Sequence, residues 1–318
     1  MIRTVVKIVT LLLASMTLFA ASKESKILEV KLNKPSVNVI ADLAYTQTQN
    51  PFGQVTQLNM DILKPNSKTP LPAVLFITGG GFVQSPKENY IQQRLAIAEA
   101  GYVVASIEYR VVPNTTFPEP LEDAKTAVRY LKENAKKYGI DPNRIAVMGE
   151  SAGGYLSALV GTTNGMKEFD KGEYLNQNSD VQAAIDIYGL SDLTKVGDDY
   201  SKEIQEVHKS AAAPEAMLVN GIAVFGPGGS ILSNLDKAKA ANPLTYISKN
   251  TPPFLVMHGD NDMLVSPSQT KILHEALIDK GIDSTRYIVK GANHADQYWC
   301  QKEVLDVIIG FLDKNLKK

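Results

Sequence analysis

A chain of 318 residues with 33 basic and 34 acidic side chains carries a formal charge of only −1, which excludes the strong positive field of a nucleic-acid-binding protein. Its single cysteine, Cys300, excludes an intramolecular disulfide, so stability has to come from a packed apolar core. That thiol, next to Trp299, is expected to be buried and to pack as a small apolar group.

Arg3 and Lys7 precede an apolar run over residues 8–21, and Ala20, Ala21 and Ser22 close it, the layout of a cleavable secretory signal. The run is too short to span a bilayer comfortably, so no stable membrane anchor is expected once it is removed. Residues 1–22 are therefore read as a signal and residues 23–318 as a single α/β domain, secreted or periplasmic. Loss of Arg3 and Lys7 leaves 31 basic against 34 acidic side chains, still no strong field.

Two β-biased stretches, 37–45 and 55–63, flank a turn-rich segment containing Asn50-Pro51-Phe52-Gly53 and predict an antiparallel hairpin. Short apolar runs follow at 73–78, 102–108, 145–149, 183–188, 254–257 and 285–289. They have the near-continuous hydrophobicity of strands buried on both faces. Between them, Leu121, Ala124, Ala127, Val128 and Leu131 recur at helical spacing within 118–138, before Gly139, and a second helix is predicted over about 266–280, before Gly281. Repeated strand–helix alternation requires a mostly parallel sheet with right-handed crossovers, flanked by helices. Residues 164–250 break the rhythm. They are expected to hold one strand and an irregular, partly helical, cap-like insertion over the carboxyl edge; the glycine cluster at 226–229 lacks the flanking strand and helix of a phosphate loop.

Gly149-Glu150-Ser151-Ala152-Gly153 lies between a predicted strand and a predicted helix, so Ser151 falls on a sharp turn that lifts its hydroxyl to the open edge of the sheet. A serine hydroxyl needs an adjacent base oriented by a third group. Of four histidines, His208 reads as a solvated side chain in a charged stretch, His274 as structural within a helix, and His258 as the end of a strand. His294 follows the last strand and is expected to be the base. The preceding strand leads into His258-Gly259-Asp260-Asn261-Asp262. Asp262 is chosen as the acid, since reaching the imidazole needs a few loop residues, while Asp260 is placed to bond the turn backbone. Gly79-Gly80-Gly81 after the strand at 73–78 lets backbone N–H groups face the site, and the amide of Ala152 is expected to join them as donors for an oxyanion.

Together with Glu108-Tyr109-Arg110, Phe117-Pro118, Asp141-Pro142-Asn143-Arg144 and Pro252-Pro253-Phe254, these motifs resemble the α/β-hydrolase superfamily, near the hormone-sensitive-lipase-like esterases and the bacterial carbohydrate, feruloyl- and acetyl-type esterases. The resemblance covers about residues 36–316. It implies an α/β-hydrolase fold, an oxyanion hole of Gly80, Gly81 and Ala152, and a serine esterase that forms an acyl-enzyme on small-molecule or carbohydrate esters. No metal or organic cofactor is implied. The family pattern has histidine ahead of the glycine triplet where this chain has Thr78. A prolyl-oligopeptidase-like serine peptidase shares the triad order but resembles this chain only in its catalytic domain. A non-catalytic binding protein of the same fold would show a missing triad member or a blocked loop, and neither is visible.

Overall fold

The computed structural model describes residues 25–50 and 53–317; the leader at 1–22 and the hairpin residues Pro51 and Phe52 lie outside them. Residues 25–33 carry no regular secondary structure and are exposed. Residues 34–318 form one compact unit.

Within that unit the hairpin forms from β1 (Val37–Gln49) and β2 (Val55–Pro65), paired antiparallel with Val39 opposite Leu63. β1 is largely exposed at an edge of the sheet, and its burial increases toward Tyr45. The remaining strands are β3 (Leu71–Ile77), β4 (Val103–Ile107), β5 (Ile140–Glu150), β6 (Ala183–Ile187), β7 (Phe254–Gly259) and β8 (Ser284–Val289). The sheet runs β1-β2-β4-β3-β5-β6-β7-β8, antiparallel at β1/β2 and β2/β4 and parallel from β4 to β8. Every residue of β4, β6 and β7 is buried, as the unbroken apolar runs predicted for strands covered on both faces.

Two helical layers supply that cover. Leu121, Val128 and Leu131 of α2 (Glu119–Glu133), Tyr155 and Leu159 of α4 (Ala152–Thr162), and Leu273 and Leu277 of α8 (Ser268–Asp279) belong to one apolar cluster. Ile97 of α1 (Ile91–Glu99), with Ile308 and Leu312 of α9 (Lys302–Leu316), belongs to the other. Each such side chain, fully buried, contributes about 1.5–3 kcal/mol. The helix predicted over 118–138 is interrupted at Asn134, with a single further turn, α3, at Ala135–Tyr138. α1 has only a weak apolar stripe, with Gln93 and Arg94 among its buried residues, so periodicity does not reveal it.

The chain passes from β3 outward to β4 and then returns past β3 to β5. The order therefore reverses beside β3, and a crevice opens beyond the carboxyl ends of β3 and β5, where open α/β sheets bind ligands. The long insertion contributes α5 (Lys202–His208), α6 (Pro214–Asn220) and α7 (Leu235–Ala240), and residues of α5 and α6 border the crevice.

Candidate active site

Ser151 sits where β5 gives way to α4, with φ 55° and ψ −122°, a conformation that non-glycine residues seldom adopt and that persists when the surroundings enforce it. They do so here: the Ser151 amide donates to the Ile187 carbonyl of β6 at 2.9 Å, and the Ser151 carbonyl accepts from the Tyr155 amide at 3.0 Å. Gly153 allows the turn to close, because a Cβ there would lie inside the Ile77 carbonyl at the end of β3.

The His294 ring approaches from the loop after β8, with Nε2 2.8 Å from Ser151 Oγ. Its Nδ1 lies 2.7 Å from Asp262 Oδ2. An ionised carboxylate only accepts, so Nδ1 carries the hydrogen and Nε2 is left to take the serine proton. Asp262 Oδ1 accepts the amides of Leu264 and Val265 at 2.9 and 3.0 Å. Burial on its own would raise the Asp262 pKa, but hydrogen bonds from His258 and His294, the field of His294 and the Val265 amide hold it well below the usual carboxylate range. Asp260, the alternative acid, instead accepts the Gly291 amide at 2.5 Å and so ties the acid loop to the base loop.

His258 is the supporting residue that the sequence reading left as a strand end. Fully buried, it places Nε2 3.1 Å from Asp262 Oδ2 and 3.0 Å from the Val265 carbonyl, while Nδ1 faces Thr270 Oγ1 at 3.0 Å. With only acceptors around Nε2, that nitrogen donates. The four-residue spacing from His258 to Asp262 was the available signal. Tyr188, just past β6, packs its ring against His294 with centroids 4.6 Å apart and against Trp299 at the same separation. Its hydroxyl donates to Glu150, which burial pushes up to about 7.

The loop after β3 lies over the turn. The Gly80 carbonyl accepts the Val83 and Gln84 amides at 3.1 and 3.2 Å, and a Cβ at Gly80 would strike the Gln84 backbone. Gly81 and Ala152 border the same cavity as Ser151. Thr78 is fully buried; its carbonyl accepts the Tyr109 hydroxyl at 3.0 Å, and its own hydroxyl has no hydrogen-bond partner among the described residues.

That cavity, of about 290 Å³, has mostly apolar walls, drawn from the glycine loop, the acid loop (Met263, Leu264 and Val265) and the insertion. The insertion is fastened to the acid loop: the Tyr200 hydroxyl donates to the Asp262 carbonyl at 3.0 Å, and the Ser266 hydroxyl donates to Asp199. His208 corrects the expectation of a solvated side chain. It borders this cavity and pairs through Nδ1 with Glu215 Oε1 at 2.7 Å. Cys300 corrects another: it is partly exposed, with its thiol donating to the Gln297 carbonyl, because the turn at Gln297–Cys300 buries Trp299 instead. His274 is structural, with Nδ1 2.9 Å from Ser284 Oγ. Phe82 borders the cavity, whereas Trp299 is buried behind the base, its indole N–H donating to the Asn293 carbonyl at 2.9 Å.

A Ser-His-Asp array on loops at the carboxyl edge of a mostly parallel sheet, with the serine on a strand-to-helix turn, defines the α/β-hydrolase fold. The chain belongs to the BD-FAE family, whose profile matches residues 60–277. Esterase LipC of Mycobacterium tuberculosis is 31% identical over 230 residues, 71% of this chain and 53% of the relative. The probable carboxylic ester hydrolase LipM of the same organism is 33% identical over 201 residues, 63% of this chain and 43% of the relative. The chain thus spans about half the length of these curated relatives. Among solved structures, a truncated carbohydrate esterase from gut microbiota superposes with a TM-score of 0.77 at 26% identity, covering 90% of this chain and all of that one. The bifunctional GH43-CE of Bacteroides eggerthii gives 0.75 at 28% identity, over 87% of this chain and 35% of its own.

Proposed function

We propose that the protein is a serine carboxylic-ester hydrolase that works through an acyl-enzyme, on short-chain or carbohydrate-linked acyl esters. The observation that carries this reading is the unbroken hydrogen-bonded relay from Ser151 Oγ through His294 to Asp262, opening onto a largely apolar cavity of about 290 Å³.

In the first half-reaction Ser151 Oγ bonds to the ester carbonyl carbon as its proton passes to His294 Nε2. Asp262 stabilises the resulting imidazolium, and the amides of Gly80, Gly81 and Ala152 receive the oxygen that becomes negative. The carbon–alkoxy bond then breaks, and His294 returns the proton to the departing alcohol. Water repeats the sequence: His294 takes its proton, the hydroxide oxygen bonds to the acyl carbon, and the Ser151–acyl bond breaks with the proton restored to Oγ. The matched family, the ester-hydrolase relatives and the carbohydrate esterase neighbour support this chemistry and the class of substrate. The basic and apolar leader at 1–22 supports export.

Turnover of p-nitrophenyl acetate by the wild-type protein and its loss in Ser151→Ala is the expected result. Undiminished turnover in the variant overturns the assignment. Acetylated xylan and methyl ferulate, assayed beside it, distinguish acetyl from aromatic acyl groups, and N-terminal sequencing of the exported protein tests removal of the leader.

A further inference from the structure

Among the described residues, the insertion brings an ionisable pair, His208 and Glu215, to the cavity, and it has no role in the relay. We propose that His208 and Glu215 form a recognition point for a hydroxyl carried by the acyl portion of the substrate, a reading that rests on the ester-hydrolase function above.

The cavity's walls include Ser151, Gly81 and Ala152 but not His294. The departing alcohol has to lie against His294 Nε2, which protonates it, so the space away from that ring receives the acyl group. Its walls are chiefly apolar, with Leu190, Val196, Val207, Ala213 and Leu264 among them. An apolar acyl body fits this lining. Apart from Ser151, the polar side chains among these walls are His208 and Glu215, 17% and 3% exposed.

The pair is held rather than loose. Glu215 lies in the first turn of α6, His208 ends α5, and the His208 ring stacks on Tyr200 with centroids 6.4 Å apart and planes 23° apart. Tyr200 is itself hydrogen-bonded to the Asp262 backbone, so the pair is registered to the acid loop. With Nδ1 donating to Glu215 Oε1, the pair keeps two acceptors, His208 Nε2 and Glu215 Oε2, that have no hydrogen-bond partner among the described residues. Both residues border the cavity, so a wholly apolar acyl chain filling it would strip water from the pair without offering it a partner. A terminal hydroxyl supplies that partner. It also serves a protonated ring, because a hydroxyl both donates and accepts. A site built to bond a hydroxyl rejects the analogue lacking it, and with the pair not wholly enclosed the expected discrimination is about tenfold.

The test compares kcat/KM for p-nitrophenyl alkanoates with the matching ω-hydroxyalkanoates of roughly four to eight carbons, lengths on the scale of a cavity that holds a small ligand. The wild type is expected to favour the hydroxylated ester about tenfold at the length that reaches His208, and His208→Leu to abolish that preference. Because that change leaves a buried carboxylate unpaired, His208→Leu/Glu215→Leu is measured beside it, replacing the whole pair by apolar volume. If the pair only clips α5 to α6, both variants lose stability while the preference persists, which overturns the inference. A wild-type ratio near one at every length overturns it too, whether or not the variants fold. Failure of the wild type to turn over any ester, p-nitrophenyl acetate included, instead removes the function on which the inference stands.

Discussion

The carboxyl edge of the sheet and the insertion above it differ in what holds them. At the edge, Ser151, Asp262 and His258 are buried, fixed by backbone amides and by strands packed on both faces. In the insertion, α5 has no buried residue, and Val207, Val224 and Phe225 are 63%, 80% and 52% exposed. On the proposed function, the reacting groups stand on strands packed on both faces, while the pocket beside them is closed by a cover whose α6 is anchored in the core through Ala216 and Leu218 but whose α5 buries nothing. Changes at the edge should act on kcat, and changes in the cover on substrate preference.

The largest effect should come from Ser151→Ala, with a loss of about 10⁶ in kcat and little change in thermal midpoint. Asp262→Asn should follow at about 10³–10⁴, measured as kcat on p-nitrophenyl acetate, because the amide can hold His294 in the wrong tautomer. If either loss appeared in KM alone, the edge would be binding rather than reacting.

Glu150 separates stability from chemistry at the edge. Burial raises its pKa from 4.5 to about 7, so between those values the folded state keeps a proton that the unfolded state has released. The stability this provides is complete below about pH 4.5 and is lost as pH rises through 7, on the order of 3 kcal/mol over the whole window. Glu150→Gln should flatten that decline in urea midpoints measured from pH 4.5 to 7.5. Asp186, also raised by burial to about 7, leaves a residual slope of the same sign. An unchanged pH profile would mean that Glu150 is ionised in the fold. The smallest effect should be that of Val207→Ala: within about 0.5 kcal/mol in stability, with a rise in KM confined to longer acyl esters. A fall in kcat on acetate would blur the contrast between edge and cover.

The sheet was legible because its strands carry continuous apolar runs and its turns carry glycine, features set by local sequence. Ser151, Asp262 and His294 were legible as a set because each follows a strand, and strand order in this fold determines which loops meet; the structure brings the three into one hydrogen-bonded array. What sequence concealed were partnerships between distant segments. Nothing near His208 announces that Glu215 folds back onto it, since the two lie on separate short helices, one in a charged stretch and the other in an apolar one. His258 looked like a strand end because its support of Asp262 depends on the loop curling back over β7. Cys300 was expected to be buried as a small apolar group, yet the turn at Gln297–Cys300 buries Trp299 and leaves the thiol partly exposed.

The most direct measurement is labelling with a fluorophosphonate, read by intact mass and peptide sequencing. The relay through His294 and Asp262 predicts one adduct per chain, on Ser151, absent in Ser151→Ala and slowed in Asp262→Asn. A folded protein that hydrolyses esters yet remains unlabelled, or that carries the adduct on another residue, would contradict it.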